Sequence, residues 1–334
     1  MPQSLNAFNF SHQYVADLAW IIYSAPLLKE QSLSSELTPS ELSAPSFTPQ
    51  TSTTTPTADW LEQLAKLNHS PSPLIHHIES RQSTRVGFYY EALISYLLST
   101  FPGVIRLAEH LQLQKNGRTL GEIDFLYRDE KTNKVIHLET AVKFYLGSKP
   151  WLDASHPFKH WLGPMIKDRL DLKTQHLINH QSQMCLSESF TELSKQLNLP
   201  QPTHREVLMQ GYLFTHPSEP VSLPYNVENE NTTQRPLWFA RHEIDAFLSN
   251  DDKFIILKKP FWLSPFHSKE HNQLLDRDSL KEQLDSLIEQ WNRPILISIL
   301  STNELSKTNH ALFQENNRCF IVPDNWAGIS APNT

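Results

Sequence analysis

The strongest constraint on how this chain folds is the segment 135–143, Val-Ile-His-Leu-Glu-Thr-Ala-Val-Lys. In an extended chain, successive side chains alternate between two faces. His137, Glu139, Ala141 and Lys143 then share one face, while Ile136, Leu138 and Val142 share the other, which suits a buried core. An acid and a lysine project from one side of an otherwise apolar strand. In the preceding segment, Gly121-Glu122-Ile123-Asp124-Phe125-Leu126, Glu122 and Asp124 share a face, and Ile123 and Phe125 point the other way. If the two segments pair as neighbours in a meander, Asp124 and Glu139 converge.

The surrounding pattern predicts what this strand sits in. Residues 85–99 form a helix, with Val86, Tyr90, Leu93 and Leu97 as its apolar stripe and Glu91 at the stripe's edge. Gly87, one turn earlier, leaves room for another backbone, and Pro102-Gly103 ends the helix. Three extended segments follow, 104–114, 120–127 and 134–146, joined by Lys115-Asn116-Gly117 and by the polar turn 129–133. A long helix is expected from Gly163-Pro164 to about Leu186, and a strand at 207–215. Beyond these, 237–241, 254–263, 294–300 and 319–322 read as extended, with 254–263 an edge strand ending at Pro260. Residues 279–291 read as a helix with Leu280, Leu284, Leu287, Ile288 and Trp291 on one face.

Upstream, residues 11–24 suit a helix, and 31–57 are rich in Ser, Thr and Pro with little to bury. The expected organisation is an N-terminal helical arm (1–30), a linker (31–58), a core (59–265) and a C-terminal α/β extension (266–334).

Composition narrows the chemistry. The 334 residues include only eight glycines and carry neither a P-loop nor a dinucleotide fingerprint. Cys185 and Cys319 lie far apart and read as ordinary thiols of a reducing compartment. With no secretory signal and no run of transmembrane length, a cytoplasmic protein without a membrane partner is expected. The formal net charge of −7 counts against a nucleic-acid partner, but local charge matters more, and a metal ion offsets an acidic site.

Two neighbouring carboxylates repel and need compensation. A divalent cation with oxygen ligands provides it, Mg²⁺ typically taking one or two carboxylates plus water and phosphate oxygens. A lysine beside them can orient or deprotonate water, or neutralise developing charge. The bland alternative is a structural Glu139–Lys143 ion pair with Asp124 capping a turn.

The motif Arg85-Val-Gly87-Phe-Tyr-Tyr-Glu91, then Gly121-Glu122-Ile123-Asp124, then Glu139…Val142-Lys143 resembles the PD-(D/E)XK nucleases, above all their Holliday-junction-resolvase-like branch. It is also similar to a family of uncharacterised bacterial proteins placed in that superfamily. The likeness covers about residues 85–215. It implies an α/β, restriction-endonuclease-like α-β-β-β-α-β core with a mixed central sheet. By the same likeness Glu91 is the helix acid, Asp124 the metal-binding aspartate, Glu139 the second acid and metal ligand, and Lys143 the catalytic lysine. The implied activity is phosphodiester hydrolysis of nucleic acid, DNA first, with Mg or Mn as cofactor; a homodimer is compatible with it. The family spaces the last acid and lysine by two residues, whereas here the spacing is four, with Ala141 between. That displaces the pair by about 7 Å along the strand. The competing expectation is a catalytically inactive module of the same fold that binds nucleic acid or a protein partner.

Flanking features fit a polyanion weakly. On the long helix, Ile166, Leu170, Leu177 and Met184 form an apolar stripe. Arg169, Lys173, His176 and His180 form a second, basic stripe, from which Arg169, Lys173 and His176 are the expected nucleic-acid contacts. His176 and His180 lack the carboxylate of an H-E-x-x-H zinc motif. Trp151, Phe158 and Trp161 could stack bases, though such aromatics more often close a core.

Overall fold

The computed structural model describes residues 10, 12–28, 42–43, 58–148, 157–221, 235–268, 274–303 and 312–328. Most of the Ser/Thr/Pro-rich stretch, the segment 226–234, whose polar residues read as a loop, and Trp151 lie outside them. The fold is mixed α/β, with two sheets containing antiparallel and parallel pairs. Two compact units are formed. Among the described residues, the first comprises those of 10–143 and 172–211, and the second those of 144–171, 212–221 and 235–328. The division is therefore not a single cut near residue 265, because the second unit also draws on two earlier stretches.

In the first unit, helix α1 (Gln13–Tyr23) is a core element and not an arm: residues 15–23 are all buried, Asp17 included. Asp17 accepts hydrogen bonds from Tyr89 Oη at 2.6 Å and Gln13 Nε2 at 3.1 Å, so its burial is compensated. Helices α2 (Ala58–His69) and α3 (Ser72–Glu79) precede α4 (Val86–Thr100), in which ten of fifteen residues are buried. A helix apolar nearly all round belongs inside a fold. A Cβ at Gly87 would meet nothing within 4 Å, so that glycine does not admit another backbone.

The meander follows as β2 (Val104–Lys115), β3 (Arg118–Asp129) and β4 (Val135–Gly147). Asn116 and Gly117 take φ +54° and +73°, the left-handed pair of a two-residue hairpin turn. Strand β6 (His204–Phe214) lies beside β4 and, on its other side, beside the two-residue β1 (Leu42–Ser43). Thr203 N donates to Val135 O at 2.8 Å, and a Cβ on Gly211 would fall 1.7 Å from Lys143 O. Both strands advance eight residues between those contacts, so β6 runs parallel to β4. Gly211, at φ +142°, is required there by that close approach.

The expected long helix is three pieces: α5 (Leu170–Asn179), a 3₁₀ turn (Gln181–Leu186) and α6 (Glu188–Gln196), capped by Ser187 Oγ on Phe190 N. Residues 163–168 form a loop closed by Gly163 N donating to Asp168 O, with Ile166 at φ +60°. Ile166 is consequently 45% exposed and not on the buried stripe, whereas Leu170, Leu177 and Met184 are buried. Met184 and Cys185 join Leu113, Ile123, Leu126, Val135 and Phe190 in one core cluster.

The second unit pairs β5 (Trp161–Leu162) with the end of β4, and orders β7 (Leu237–Ala240), β11 (Leu312–Val322), β10 (Ile295–Asn303) and β8 (Lys253–Ile256) in a sheet. The two-residue β9 (His267–Ser268) pairs with β11, and α7 is the short helix Ile244–Phe247. As expected β8 is an edge strand, although it ends at Ile256. Helix α8 (Arg277–Trp291) buries Leu280, Leu284 and Ile288 against Phe239, Phe254, Ile297 and Ile321. Trp291 is 52% exposed and off that face. Trp161 is fully buried, close to Gly147, so it closes a core and does not stack bases.

Candidate functional site

Strands β3 and β4 pair over only four residues, from Phe125↔Leu138 to Arg128↔Val135, although they are 12 and 13 residues long. Beyond Phe125 the ladder gives way to side chains. Thr140 N, which a continuing ladder would bond to a backbone carbonyl, donates instead to Asp124 Oδ2 at 2.8 Å, and Thr140 Oγ1 donates to the same oxygen at 3.0 Å. Asp124 N faces Glu139 Oε1 at 3.5 Å. The strands thus fork, and the fork is filled by the two carboxylates that alternation brings together.

Glu139 is fully buried and held on both oxygens. His137 Nε2 lies 2.7 Å from Oε1, and Gln181 Nε2 donates to Oε2 at 2.9 Å. Lys173 Nζ in turn donates to Gln181 Oε1 at 2.8 Å, so an amide links an ammonium group to the buried acid. Burial pulls the His137 imidazole down to about 4, so the ring is neutral at physiological pH.

Three acids from three elements are coupled here. Burial, and next the charge of Glu139, push Asp124 up to about 7 against the Thr140 hydrogen bonds and Lys173. Burial pushes Glu139 up to about 8; the Asp124 N–H and Lys173 oppose the rise, while Glu122 and Glu91 add to it. On α4, burial and then Asp124 push Glu91 up to about 7, with His110 and Lys173 opposing. Without a cation the cluster resists full ionisation.

Asp124 and Glu139 meet at the fork, and the charge of Asp124 acts on Glu91. Lys173, from α5, lowers all three. Lys143 lies four residues beyond Glu139 on β4, about 13 Å between Cα atoms at roughly 3.3 Å per residue. The expected basic stripe is broken. Arg169 precedes α5 and is held by Asp171 through two bonds, 2.6 and 2.8 Å. His180 follows the helix, and its ring stacks on that of His176 at 4.8 Å. His176 is lowered by burial, by His180 and by Lys173.

Sequence reasoning missed Thr140, Gln181 and His110. The β2–β3 register pairs Glu109 with Phe125 and Leu111 with Ile123, leaving His110 across from Asp124. His110 adopts φ +53° inside a strand, and its Nδ1 lies 2.9 Å from Glu122 Oε1. A non-glycine residue in that conformation stores strain, typically about 1–3 kcal/mol, and such residues cluster at functional sites. No sequence signal marks it beyond the modest tolerance of His for the left-handed region.

Among the described residues, no group of three or more His, Cys, Asp or Glu side chains is arranged to hold a metal ion. A cation at the fork would therefore rest on Asp124 and Glu139, completed by other oxygen donors. An all-oxygen pair of buried carboxylates suits a hard cation such as Mg²⁺, which keeps several waters. Among the described residues, no helix is long and apolar enough to cross a membrane. A family model described as "Domain of unknown function (DUF1853)" matches residues 16–322. No curated protein and no solved structure matches the chain.

Proposed function

The chain belongs to the DUF1853 family, and we propose that it is a metal-dependent phosphodiesterase acting on nucleic acid, with its active centre at the β3–β4 fork. The observation that carries this reading is the fork itself. Two buried carboxylates, with a third from α4, are set where a sheet opens, and their charges are left short of compensation. The order α4-β2-β3-β4-β5-α5-α6-β6, with β6 parallel to β4, contains the expected α-β-β-β-α-β succession with one extra short strand and one extra helix, which supports the likeness to the PD-(D/E)XK core.

In this reading Asp124 and Glu139 hold Mg²⁺ or Mn²⁺. When bound, the cation supplies Lewis-acid stabilisation of charge on the phosphoryl oxygens. Thr140 fixes Asp124 through two bonds, and His137 and Gln181 fix the two oxygens of Glu139. Lys173 takes the part that the resemblance assigns to Lys143, offsetting negative charge and holding Gln181 in register. Glu91, raised by its surroundings, is suited to hold or release a proton near neutral pH.

The test is cleavage of plasmid, single-stranded and branched DNA, and of RNA, with Mg²⁺ or Mn²⁺, alongside calorimetry with Mn²⁺. Asp124→Asn and Glu139→Gln should remove both turnover and metal binding. Absence of metal binding and of cleavage across these substrates would sink the proposal. Binding without turnover, indifferent to EDTA, would favour the inactive module. The four-residue spacing from Glu139 to Lys143 and the net charge of −7 speak for that second reading.

A further inference from the structure

Ser95 of α4 anchors a half-open group that the function above does not use, with Arg81 from the segment before α4 and Arg106 and Glu109 from β2. Arg81 Nη2 donates to Ser95 Oγ and to Glu109 Oε1, both at 2.9 Å. Arg106 Nη1 donates to Glu109 Oε2 at 2.8 Å and also contacts Ser95 Oγ. Each guanidinium is thus pinned through one terminal nitrogen. Nε and Nη1 of Arg81, and Nε and Nη2 of Arg106, have no hydrogen-bond partner among the described residues. Both side chains remain partly open, 30% and 26% exposed.

We propose that Arg81 and Arg106 form a phosphate-binding site that holds the backbone of a nucleic-acid strand one helical turn from Glu91. The proposal rests on the nucleic-acid reading above for the identity of the anion. Two guanidinium groups face one carboxylate, leaving the group with a net positive charge in a chain of net charge −7. Planar guanidinium forks match phosphate oxygens better than an ammonium does. Ser95 and Glu109 already hold both side chains, so little rotamer freedom is lost on binding. Ser95 lies four residues after Glu91 on the same face of α4, about 6 Å away. An anion on the arginines and a phosphate at the fork are then neighbours along one strand.

The test is fluorescence anisotropy of the full chain with a short labelled single-stranded DNA, in EDTA, across a salt series. Arg81→Gln and Arg106→Gln should each weaken binding by about tenfold or more, as expected for loss of a charged hydrogen bond. The slope of log affinity against log salt should fall by about 0.7 for each arginine–phosphate pair removed. Glu109→Gln leaves both arginines and removes the competing carboxylate, so it should tighten binding several-fold. A purely structural ion network predicts no such gain. Wild-type protein that does not bind the strand, arginine variants that bind as wild type, or a Glu109→Gln variant that binds no tighter would each overturn the site. If the arginine variants fail to fold, Glu109→Gln alone decides. Arginine-dependent binding of a strand that Mn²⁺ never causes to be cut would refute the nuclease reading and leave this site standing.

Discussion

Replacing Asp124 by Asn should stabilise the metal-free protein, and increasingly so as pH rises. Asp124 is 9% exposed, and burial with the neighbouring Glu139 moves its carboxyl from 3.8 to about 7. A carboxyl raised in the folded state binds its proton more tightly there than in the unfolded chain. Its burden is therefore absent below the unfolded value, grows as pH climbs through the interval, and is complete above the folded value. At about 1.36 kcal/mol per unit, the interval of 3.2 units corresponds to about 4 kcal/mol. Between about pH 5 and pH 8 the stability difference between variant and wild type should grow by about 2.5 kcal/mol. The hydrogen bonds from Thr140 oppose the rise and are already contained in that value. The buried His137 titrates in the opposite sense, but its ring is already neutral in the folded state of both proteins across this interval, so it adds little to the difference. Urea unfolding of both proteins in EDTA at several pH values measures it. A difference that stays flat, or a variant that loses ground as pH rises, would refute the claim that Asp124 is held against its charge. Adding Mn²⁺ at a hundredfold excess over its Kd should then give wild type about 2.7 kcal/mol and the variant much less.

Gly211→Ala should cost more than about 3 kcal/mol and impair soluble expression, because its Cβ would strike Lys143 O at a φ that L-residues avoid; a thermal melt decides it. Gly121→Ala should cost only about 1 kcal/mol, since the atom it meets, at 2.7 Å, is the terminal methyl of the flexible Met184. Gln181→Leu cuts the bridge from Lys173 to Glu139 and should lower turnover at least tenfold; Lys143→Ala should change it less, and a single-turnover cleavage assay ranks the two.

Much of the first unit was readable because its signals are local. Alternation along 121–126 and 135–143 requires only neighbouring residues, so it put Asp124 and Glu139 on converging faces before any packing was known. Asn116-Gly117 encodes its own hairpin through backbone conformations few other residues tolerate. The helix break at Pro102-Gly103 is of the same kind. Pro164 suits a first turn and so predicts a helix from 163, whereas α5 begins at Leu170. The loop that displaces it is closed by a bond from Gly163 to Asp168 that no periodicity reports.

By itself, then, the sequence determined the β2–β3–β4 meander and the alternation that sets Asp124 opposite Glu139, since each follows from the geometry of adjacent peptide units, but not the burial of β4 on both faces. Tertiary structure decided what surrounds those acids. It opened β3 from β4 at Asp124, buried the N-terminal helix around Asp17, set His110 in a strained conformation and tied Arg169 to Asp171. It also set Lys173, through Gln181, beside Glu139. The reason is reach. A charge acts over a few ångströms in space, and Lys173 is brought near by the packing of α5 and the turn after it, contacts that no local pattern in the sequence encodes.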